Sequence, residues 1–418
     1  MISENDIQAL CRTSRDAAAR LAVASTASRN RALLASARLL DAARKTLLKA
    51  NAKDVADAKK NSLAAALVDR LALNDARIDA MIKGLKEVAA QPDPVGRTYD
   101  CRKRPNGLHI GKIRVPIGVI LIIYESRPNV TLDSASLCLK AGNAVILRGG
   151  KESLHSNQAL VDLFRKALRA ARLPEAAVQF IDTPDHDAIP LLVRQTGLID
   201  LCIPRGGEAL IRAVTEHARI PVLKHYKGVC HVYVDKSANP DMAEAIVVNA
   251  KTQRPSVCNA AETLLLDARL PKETAARILK ALHAKGVALK GCLKTRALYS
   301  AVRAAKEEDY FTEYLDLTMS VKVVDGVREA MDHIRKYGSG HTDAIVTENK
   351  TVADRFLAGV DSSSVMWNAS TRFSDGGIYG LGAEIGISTD KIHSRGPMGA
   401  DDLTTYKWIV IGNGQVRE

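Results

Sequence analysis

Aromatic residues are scarce in this chain of 418 residues, at 4% of the sequence, and no apolar run is long enough to cross a bilayer. The longest such run, near Val115–Tyr124, is short and contains Pro116. The N-terminus has no basic start followed by an apolar core, because residues 3–6 are all polar. These absences predict a cytoplasmic protein that does not act at a membrane.

Closely spaced cysteine pairs are also absent. The seven cysteines are Cys11, Cys101, Cys138, Cys202, Cys230, Cys258 and Cys292. An odd number at wide spacing, without a CxxC pair, argues against a disulfide framework and against a zinc site, and favours a reducing compartment. The histidines are scattered, so the sequence predicts no bound metal.

Positive charge is in excess, with 60 Lys and Arg against 47 Asp and Glu and a formal charge of +13. Such an excess is typical of proteins that bind nucleic acid or small anions such as phosphates. The basic residues are scattered among acids, and aromatic residues are not interleaved with them. We therefore expect a small anionic ligand rather than a nucleic acid.

Glycine and proline are missing from residues 1–83. Apolar residues recur there at helical spacing, for example Leu33, Ala37 and Leu40, which predicts an all-helical N-terminal arm. Arg97–Pro116 then predicts a hairpin that turns at residues 105–107. From Gly118 to Ala218 strands and helices alternate, which predicts a doubly wound parallel sheet.

The second half of the chain predicts a smaller α/β unit that contains Cys258. Its predicted strands and helices are Thr263–Leu266, Lys272–Lys285, Ser320–Val324, Val327–Tyr337 and Ala344–Thr347. Before this unit, Pro221–Asp235 predicts two short strands around Lys227 and Gly228. At the end, Thr404–Gly412 predicts a strand that needs a partner.

Two predicted strands end in the same sequence, an arginine followed by two glycines. The first turn is Arg148-Gly149-Gly150, followed by Lys151, and the second is Arg205-Gly206-Gly207. Glycines allow a phosphate close to the backbone, and the next helix offers free N–H groups. The GxGxxG pattern of dinucleotide sites is absent, so two ordinary turns are the alternative.

The segment Lys251–Leu266 places Cys258 after a proline-containing turn and before small residues, where a ligand could reach its sulfur. The nucleophile would be the thiolate, and the nearby Lys251 and Arg254 would lower the pKa of the thiol. The alternative is a buried structural cysteine, since free cysteine is among the most buried residue types.

Together, these motifs resemble the aldehyde dehydrogenase superfamily, which has strand-end glycines, a cysteine loop, a later glutamate and a terminal strand. Three segments resemble one family within it, the γ-glutamyl phosphate reductases. They are Tyr124–Val130, Arg254–Glu262 and Ser388–Tyr406, the last reading STDKIHSRGPMGADDLTTY. The resemblance extends over nearly the whole chain.

The resemblance implies that NADPH reduces L-glutamyl 5-phosphate to the 5-semialdehyde in proline biosynthesis, with release of phosphate. It places the nucleophile at Cys258, a cofactor-ribose contact at Arg148 and a nicotinamide-ribose contact at Glu313. Lys151 lies where relatives that prefer NAD often carry an acid, so its cation would suit the 2′-phosphate of NADPH.

One position departs from the superfamily pattern. The general-base glutamate of hydrolytic members falls on Lys224, 34 residues before Cys258. A lysine, with an ordinary pKa of about 10.4, does not activate water at neutral pH. The resemblance then implies that phosphate, attracted by the lysine, exchanges with the thioester instead of water. An ordinary surface lysine is the alternative.

Further site residues are less sharply indicated. Asn129 is a candidate oxyanion donor, although the family spacing points to Ser126, and a turn role beside Pro128 is equally consistent. Arg127 and Arg254 are candidates for binding the substrate phosphate or carboxylate. Thr371–Gly376 is a plausible region for the substrate's α-amino and α-carboxylate groups.

The implied architecture is an aldehyde dehydrogenase-like α/β fold. We expect a cofactor-binding domain at residues 1–96, 117–229 and 363–385, a catalytic domain at 230–362, and a β oligomerisation arm at 97–116 and 386–418. The arm implies a homo-oligomer, and the substrate implies functional pairing with glutamate 5-kinase.

Two other functions stay open at this point. One is a phosphate-independent NAD(P)-dependent aldehyde dehydrogenase that acts on another substrate. The other is a non-catalytic nucleotide-binding protein. Lys224 and the Ser388–Tyr406 segment argue against the first, and a reactive Cys258 would argue against the second.

Overall fold

A computed structural model describes residues 2–183, 185 and 187–417 of the protein, and at residue 66 it describes the backbone. Its chain contacts divide it into two compact units. Unit 1 comprises Met1–Lys224, Gly380–Gly386 and Met398–Glu418, and unit 2 comprises His225–Tyr379 and Ile387–Pro397. Within the described residues, no helix is both long enough and apolar enough to span a membrane.

The helices are numbered in chain order. They are α1 (Glu4–Ala22), α2 (Thr26–Ala42), α3 (Arg44–Lys60), α4 (Ala65–Leu71), α5 (Asp75–Ala90), α6 (Pro128–Lys140), α7 (Leu154–Ala170), α8 (Ala188–Leu192), α9 (Glu208–His217), α10 (Pro240–Thr252), α11 (Lys272–Ala284), α12 (Leu293–Leu298), α13 (Gly326–Tyr337) and α14 (Lys350–Gly359).

The strands are numbered likewise. They are β1 (Thr98–Lys103), β2 (His109–Pro116), β3 (Val119–Tyr124), β4 (Ala144–Arg148), β5 (Val178–Phe180), β6 (Leu201–Arg205), β7 (Cys230–Val234), β8 (Ala261–Asp267), β9 (Ala288–Gly291), β10 (Arg303–Ala304), β11 (Thr318–Val324), β12 (Thr342–Val346), β13 (Ser364–Trp367), β14 (Gly386–Ser388), β15 (Gly396–Met398) and β16 (Thr404–Ile411).

The N-terminal arm is helical, as predicted, and α1 to α5 belong to unit 1. Side chains of Ser3, Ser25 and Asn74 cap α1, α2 and α5 by accepting hydrogen bonds from first-turn N–H groups. The apolar stripes of α2 and α5 pack with α6 and α7 in one core. Burial of these stripes holds the arm against the sheet of unit 1.

The predicted doubly wound sheet of unit 1 is confirmed. Its described strands are parallel in the order β5-β4-β3-β6. Residues of β3 and β4 are buried throughout because helices cover both faces, which explains their unbroken apolar sequence. The chain adds β4 and β5 on one side of β3 and β6 on the other, so the strand order reverses between β3 and β6, where such sheets bind ligands beyond their carboxyl ends.

The tail strand has a partner within its own chain. The predicted hairpin forms as β1 and β2, and β16 pairs antiparallel with β2 from Thr404 to Ile411. The strand predicted at Thr404–Gly412 to need a partner therefore finds it in β2. The three-stranded sheet has β16 at one edge, where Tyr406, Trp408 and Val410 are exposed.

Unit 2 has a parallel sheet whose described strands lie in the order β10-β9-β11-β8-β7-β12-β13. Its central strands β7 and β8 are fully buried. The prediction of two strands around Lys227 and Gly228 is half wrong, since only β7 forms there. The N–H of Gly228 donates to the Glu313 carboxylate at 2.8 Å instead of joining a strand ladder.

Residues 363–379, predicted from the sequence to belong to the cofactor-binding domain, lie in unit 2 by their contacts. The reason is β13, which pairs in parallel with β12 from Ser364 to Trp367 and so extends the sheet of unit 2. Residues 97–116 and β16 belong to unit 1 by their contacts.

Candidate active site

Cys258 lies in a short loop between α10 and β8. Its side chain is half-buried, unlike those of Cys11, Cys138, Cys202 and Cys230, which are buried. The loop packs closely on Gly228, where any side chain would collide with the Cys258 carbonyl oxygen. Cys258 is therefore held against a glycine while its sulfur keeps partial access to solvent.

Glu313 lies beside this glycine, because its carboxylate accepts the Gly228 N–H at 2.8 Å. The structure thus brings Glu313, a residue predicted to contact the cofactor, next to the Cys258 loop within unit 2. The contact is local and involves the backbone. It positions the Glu313 carboxylate near the sulfur-bearing loop.

Lys251 forms a buried ion pair. Its Nζ lies 2.5 Å from Glu262 Oε2, and both side chains are fully buried. Burial raises the pKa of Glu262 to about 7, although the charge and hydrogen bond of Lys251 act in the opposite direction. The expectation that Lys251 serves to lower the pKa of Cys258 is not supported by this geometry, because Glu262 neutralises its charge.

Arg372 reaches the residue that follows Cys258. Its Nη1 donates to Asn259 Oδ1 and its Nε donates to Gln253 Oε1 at 2.8 Å, while Asn259 Nδ2 donates to the Ser374 carbonyl at 2.8 Å. Burial lowers the pKa of Arg372, and the charge of Arg254 lowers it further. The segment Thr371–Gly376 therefore contacts the Cys258 loop and brings a cation to it.

Two histidines approach Cys258, and sequence reasoning missed both. Ligand atoms of His225, Cys258 and His341 all lie within 4.8 Å of one another. The two imidazoles meet edge to face, with ring centroids 5.3 Å apart. Strand order brings them together: Cys258 precedes β8, His225 precedes the adjacent β7, and His341 precedes β12 on the far side of β7, all at the same sheet edge.

The first glycine turn is tightly packed. A side chain at Gly149 would collide with Asn157, and one at Gly150 would collide with Glu152. Arg148 is buried, and its Nη2 donates to the Asp185 carbonyl at 3.2 Å. Packing therefore accounts for both glycines of this turn, while the adjacent Lys151 is exposed.

The second glycine turn has a different environment. A side chain at Gly207 would meet nothing within 4 Å, and Gly207 caps the start of α9. Its N–H donates to Glu125 Oε2 at 3.1 Å. A carboxylate therefore already lies at this helix N-terminus, which shows that the turn accepts an anionic group.

A cavity of about 310 Å³ in unit 1 brings together three predicted residues, Arg127, Asn129 and Arg205. Asp133 and Glu384 also line it, so both charge signs are present. Burial raises the pKa of Asp133 to about 6, while the Asn129 amide, which donates to it at 2.9 Å, opposes that rise. The Asn129 side chain is thus engaged by Asp133.

Ser126 and Lys224 complete the predicted set. The Ser126 N–H donates to Glu152 Oε1 at 2.8 Å, and its hydroxyl donates to the same oxygen. Burial would raise the pKa of Glu152, but these hydrogen bonds hold it below its ordinary value. Lys224 is half-buried in the loop between α9 and β7, and Arg254 is exposed beside the Cys258 loop.

Residues 1–318 match the sequence model of the Aldehyde dehydrogenase family. The chain belongs to this family. The resemblance inferred from the cysteine loop and the strand-end turns is thereby confirmed, as is the aldehyde dehydrogenase-like α/β fold.

Curated relatives agree on a narrower group. The chain is 55% identical to the gamma-glutamyl phosphate reductase of Thermodesulfovibrio yellowstonii over 95% of both chains. It is 52% identical to that of Moorella thermoacetica over 99% of both. The crystal structure of gamma-glutamyl phosphate reductase from Thermotoga maritima is 47% identical and superimposes with a TM-score of 0.96, covering 99% of this chain and 100% of that one. These matches confirm the resemblance to the γ-glutamyl phosphate reductases and show that the chain is an oxidoreductase.

Proposed function

We propose that the protein reduces L-glutamyl 5-phosphate to L-glutamate 5-semialdehyde with NADPH and releases phosphate, as a step of L-proline biosynthesis. The observation that carries the proposal is the half-buried position of Cys258. Its loop packs on Gly228, which donates to Glu313, and Arg372 donates to Asn259 in the same loop. Identity of 55% to a gamma-glutamyl phosphate reductase supports the same substrate.

In the proposed reaction, the Cys258 thiolate attacks the acyl carbon, and the bond to phosphate breaks to leave a thioester. The Cys258 N–H is a proposed donor to the oxyanion that forms during this attack, and losing one such donor typically costs about 10²–10³ in rate. Lys224 and Arg254 are proposed to attract the departing phosphate. Since Lys224 stands where hydrolytic relatives carry a general base, the thioester is protected from activated water.

The cofactor site is proposed at the turns of unit 1. A side chain at Gly207 would meet nothing, and its N–H at the start of α9 donates to the Glu125 carboxylate, which an anionic cofactor group would replace. Exposed Lys151 suits the 2′-phosphate of NADPH, and Arg148 and Glu313 are the proposed ribose contacts. When bound, the nicotinamide cofactor would supply the hydride that reduces the thioester carbon. The bond from that carbon to the Cys258 sulfur then breaks, which releases the semialdehyde and restores the thiolate.

Phosphate dependence tests this proposal. With glutamate 5-semialdehyde and NADP⁺, purified protein should form NADPH continuously only when inorganic phosphate is present, because phosphate must cleave the Cys258 thioester. The rate is followed by NADPH absorbance, with sulfate at matched ionic strength as the control. Continuous turnover in sulfate would instead indicate a hydrolytic aldehyde dehydrogenase.

We also propose that β16 pairs subunits into a homo-oligomer. Its outward side chains include Trp408, 58% exposed, and Val410, 57% exposed, on an edge strand that is free to extend a sheet. The acyl phosphate substrate is chemically labile, which supports a functional pairing with the kinase that makes it.

Substituting Trp408→Asp should shift the protein toward monomer, because it places a charge in the middle of this apolar edge. Light scattering after gel filtration would measure the mass. Val416→Asp is the matched control, since Val416 is 85% exposed and lies beyond the strand. An unchanged mass for Trp408→Asp would place the subunit interface elsewhere.

A further inference from the structure

We propose that His225, Cys258 and His341 form a binding site for a borderline-soft divalent cation such as Zn²⁺, which occupies the sulfur and reversibly inhibits the enzyme. The inhibitory part of this inference rests on the proposed function of Cys258 as the nucleophile. The binding part rests on geometry alone.

The three side chains come from one edge of the sheet in unit 2. The strands β8, β7 and β12 are parallel neighbours, and each of the three residues lies just before one of them. Their ligand atoms lie within 4.8 Å of one another. Zinc–sulfur and zinc–nitrogen bonds of about 2.0–2.3 Å place tetrahedral ligands about 3.3–3.8 Å apart, so closure needs shifts of roughly 1 Å.

The histidine tautomers favour coordination. Nδ1 of His225 lies 2.6 Å from the Ile387 carbonyl oxygen, which can only accept, so Nδ1 must carry the proton. In the neutral ring this leaves the Nε2 lone pair for a metal. Metal-binding histidines almost always donate their other N–H to a carbonyl or carboxylate in this way.

His341 is fixed in a similar manner. Its Nδ1 lies 2.9 Å from the Thr342 hydroxyl, and the ring is fully buried. The Thr342 hydroxyl can donate or accept, and in the tautomer that carries the proton on Nδ1 the ligand atom of His341 is Nε2. The site therefore has two imidazole nitrogens on fixed rings and one sulfur whose half-exposed position gives an ion access.

The ligand set selects the cation. Imidazole and thiolate favour Zn²⁺ and Co²⁺, whereas Mg²⁺ prefers oxygen ligands. Three protein ligands leave a fourth position for water, and the nearby Arg372 repels cations, which is consistent with reversible inhibition rather than a permanent structural metal. Zinc binding would release the thiol proton of Cys258 to solvent and hold the sulfur as a thiolate.

Cobalt titration of reduced, metal-free protein tests the site directly. One equivalent of Co²⁺ should produce a near-ultraviolet thiolate-to-cobalt charge-transfer band. The band should be lost in Cys258→Ser, and His225→Gln and His341→Gln should each raise the dissociation constant for Co²⁺ by at least about tenfold. Controls are His283→Gln, an exposed histidine that contacts Tyr299, and Cys292→Ser, and both should keep the band.

Cys230 is the rival sulfur, because it lies 3.7 Å from Nδ1 of His341. A band that survives in Cys258→Ser and disappears in Cys230→Ser would overturn the proposal, and so would the absence of any band in the wild-type protein. Since histidine variants could fold poorly, a second measurement uses the wild type alone. Zn²⁺, but not Mg²⁺, should slow iodoacetamide labelling of Cys258 at least about tenfold, as read by peptide mass spectrometry.

These readouts do not depend on turnover. If the cobalt band requires Cys258 while Cys258→Ala retains full activity, the metal site stands and the proposed function fails. If Cys258→Ala is inactive while the wild-type protein gives no band and no zinc protection, the proposed function stands and the metal site fails.

Discussion

Cys258→Ala should lose phosphate-dependent turnover by at least about 10⁴-fold, the scale on which removing a covalent nucleophile acts. Without the sulfur, no thioester forms, and the acyl carbon has no acceptor on the protein. The alanine is small enough for the loop against Gly228, so binding of substrate and cofactor should change little. The expected signature is therefore a fall in kcat with a nearly constant KM.

Steady-state kinetics in both reaction directions would measure this loss, and mass spectrometry of acid-quenched protein would detect the thioester. The matched control is Cys292→Ala, since Cys292 is the other half-buried cysteine. Burial raises the pKa of Cys292, but hydrogen bonds from the Thr295 side chain and nearby backbone bring it below its ordinary value. Cys292 is thus a plausible nucleophile on chemistry alone, and loss of activity in Cys292→Ala but not in Cys258→Ala would contradict the assignment.

Local sequence predicted the sheets well because parallel strands are buried on both faces. The run VILIIY of β3, the first four residues of β4 and Leu264–Leu266 of β8 are apolar without alternation. Cys258 was placed correctly on a loop by Pro255 and the small residues after it. These features depend on residues close together in the chain.

Contacts that depend on the order of strands in a sheet could not be predicted from short stretches of sequence. His225 and His341 meet Cys258 only because β7 lies between β8 and β12, and the sequence does not encode that order in any short segment. The pairing of β16 with β2 was missed for the same reason. The arginine of the first glycine turn is buried, which its resemblance to a ligand-binding turn did not predict.

The partner of Lys251 is a further example, and it has a large energetic consequence. Lys251→Met should destabilise the protein by about 3–5 kcal/mol, the cost of leaving a buried charge without its partner. Without Lys251, the fully buried Glu262 carboxylate would lose its cation and keep the hydrogen bond from the Leu315 N–H at 3.2 Å. Urea unfolding followed by circular dichroism would measure the free energy of unfolding.

The loss should depend on pH in a defined direction. Burial already raises the pKa of Glu262 to about 7, and Lys251 opposes that rise, so removing the lysine raises the pKa further. A carboxyl group with a raised folded-state pKa stabilises the fold fully below its unfolded pKa of about 4.3 and loses that stabilisation as pH rises. Lys251→Met should therefore cost more at about pH 8 than at about pH 5.

The double variant Lys251→Met with Glu262→Gln separates charge from packing. It removes both charges and keeps a side-chain carbonyl that can accept the Leu315 N–H. Removing both partners of a buried pair is often nearly neutral, so the double variant should recover most of the lost stability and the pH dependence should disappear. A double variant as unstable as Lys251→Met would show that Lys251 stabilises unit 2 through packing of its alkyl chain rather than through its charge.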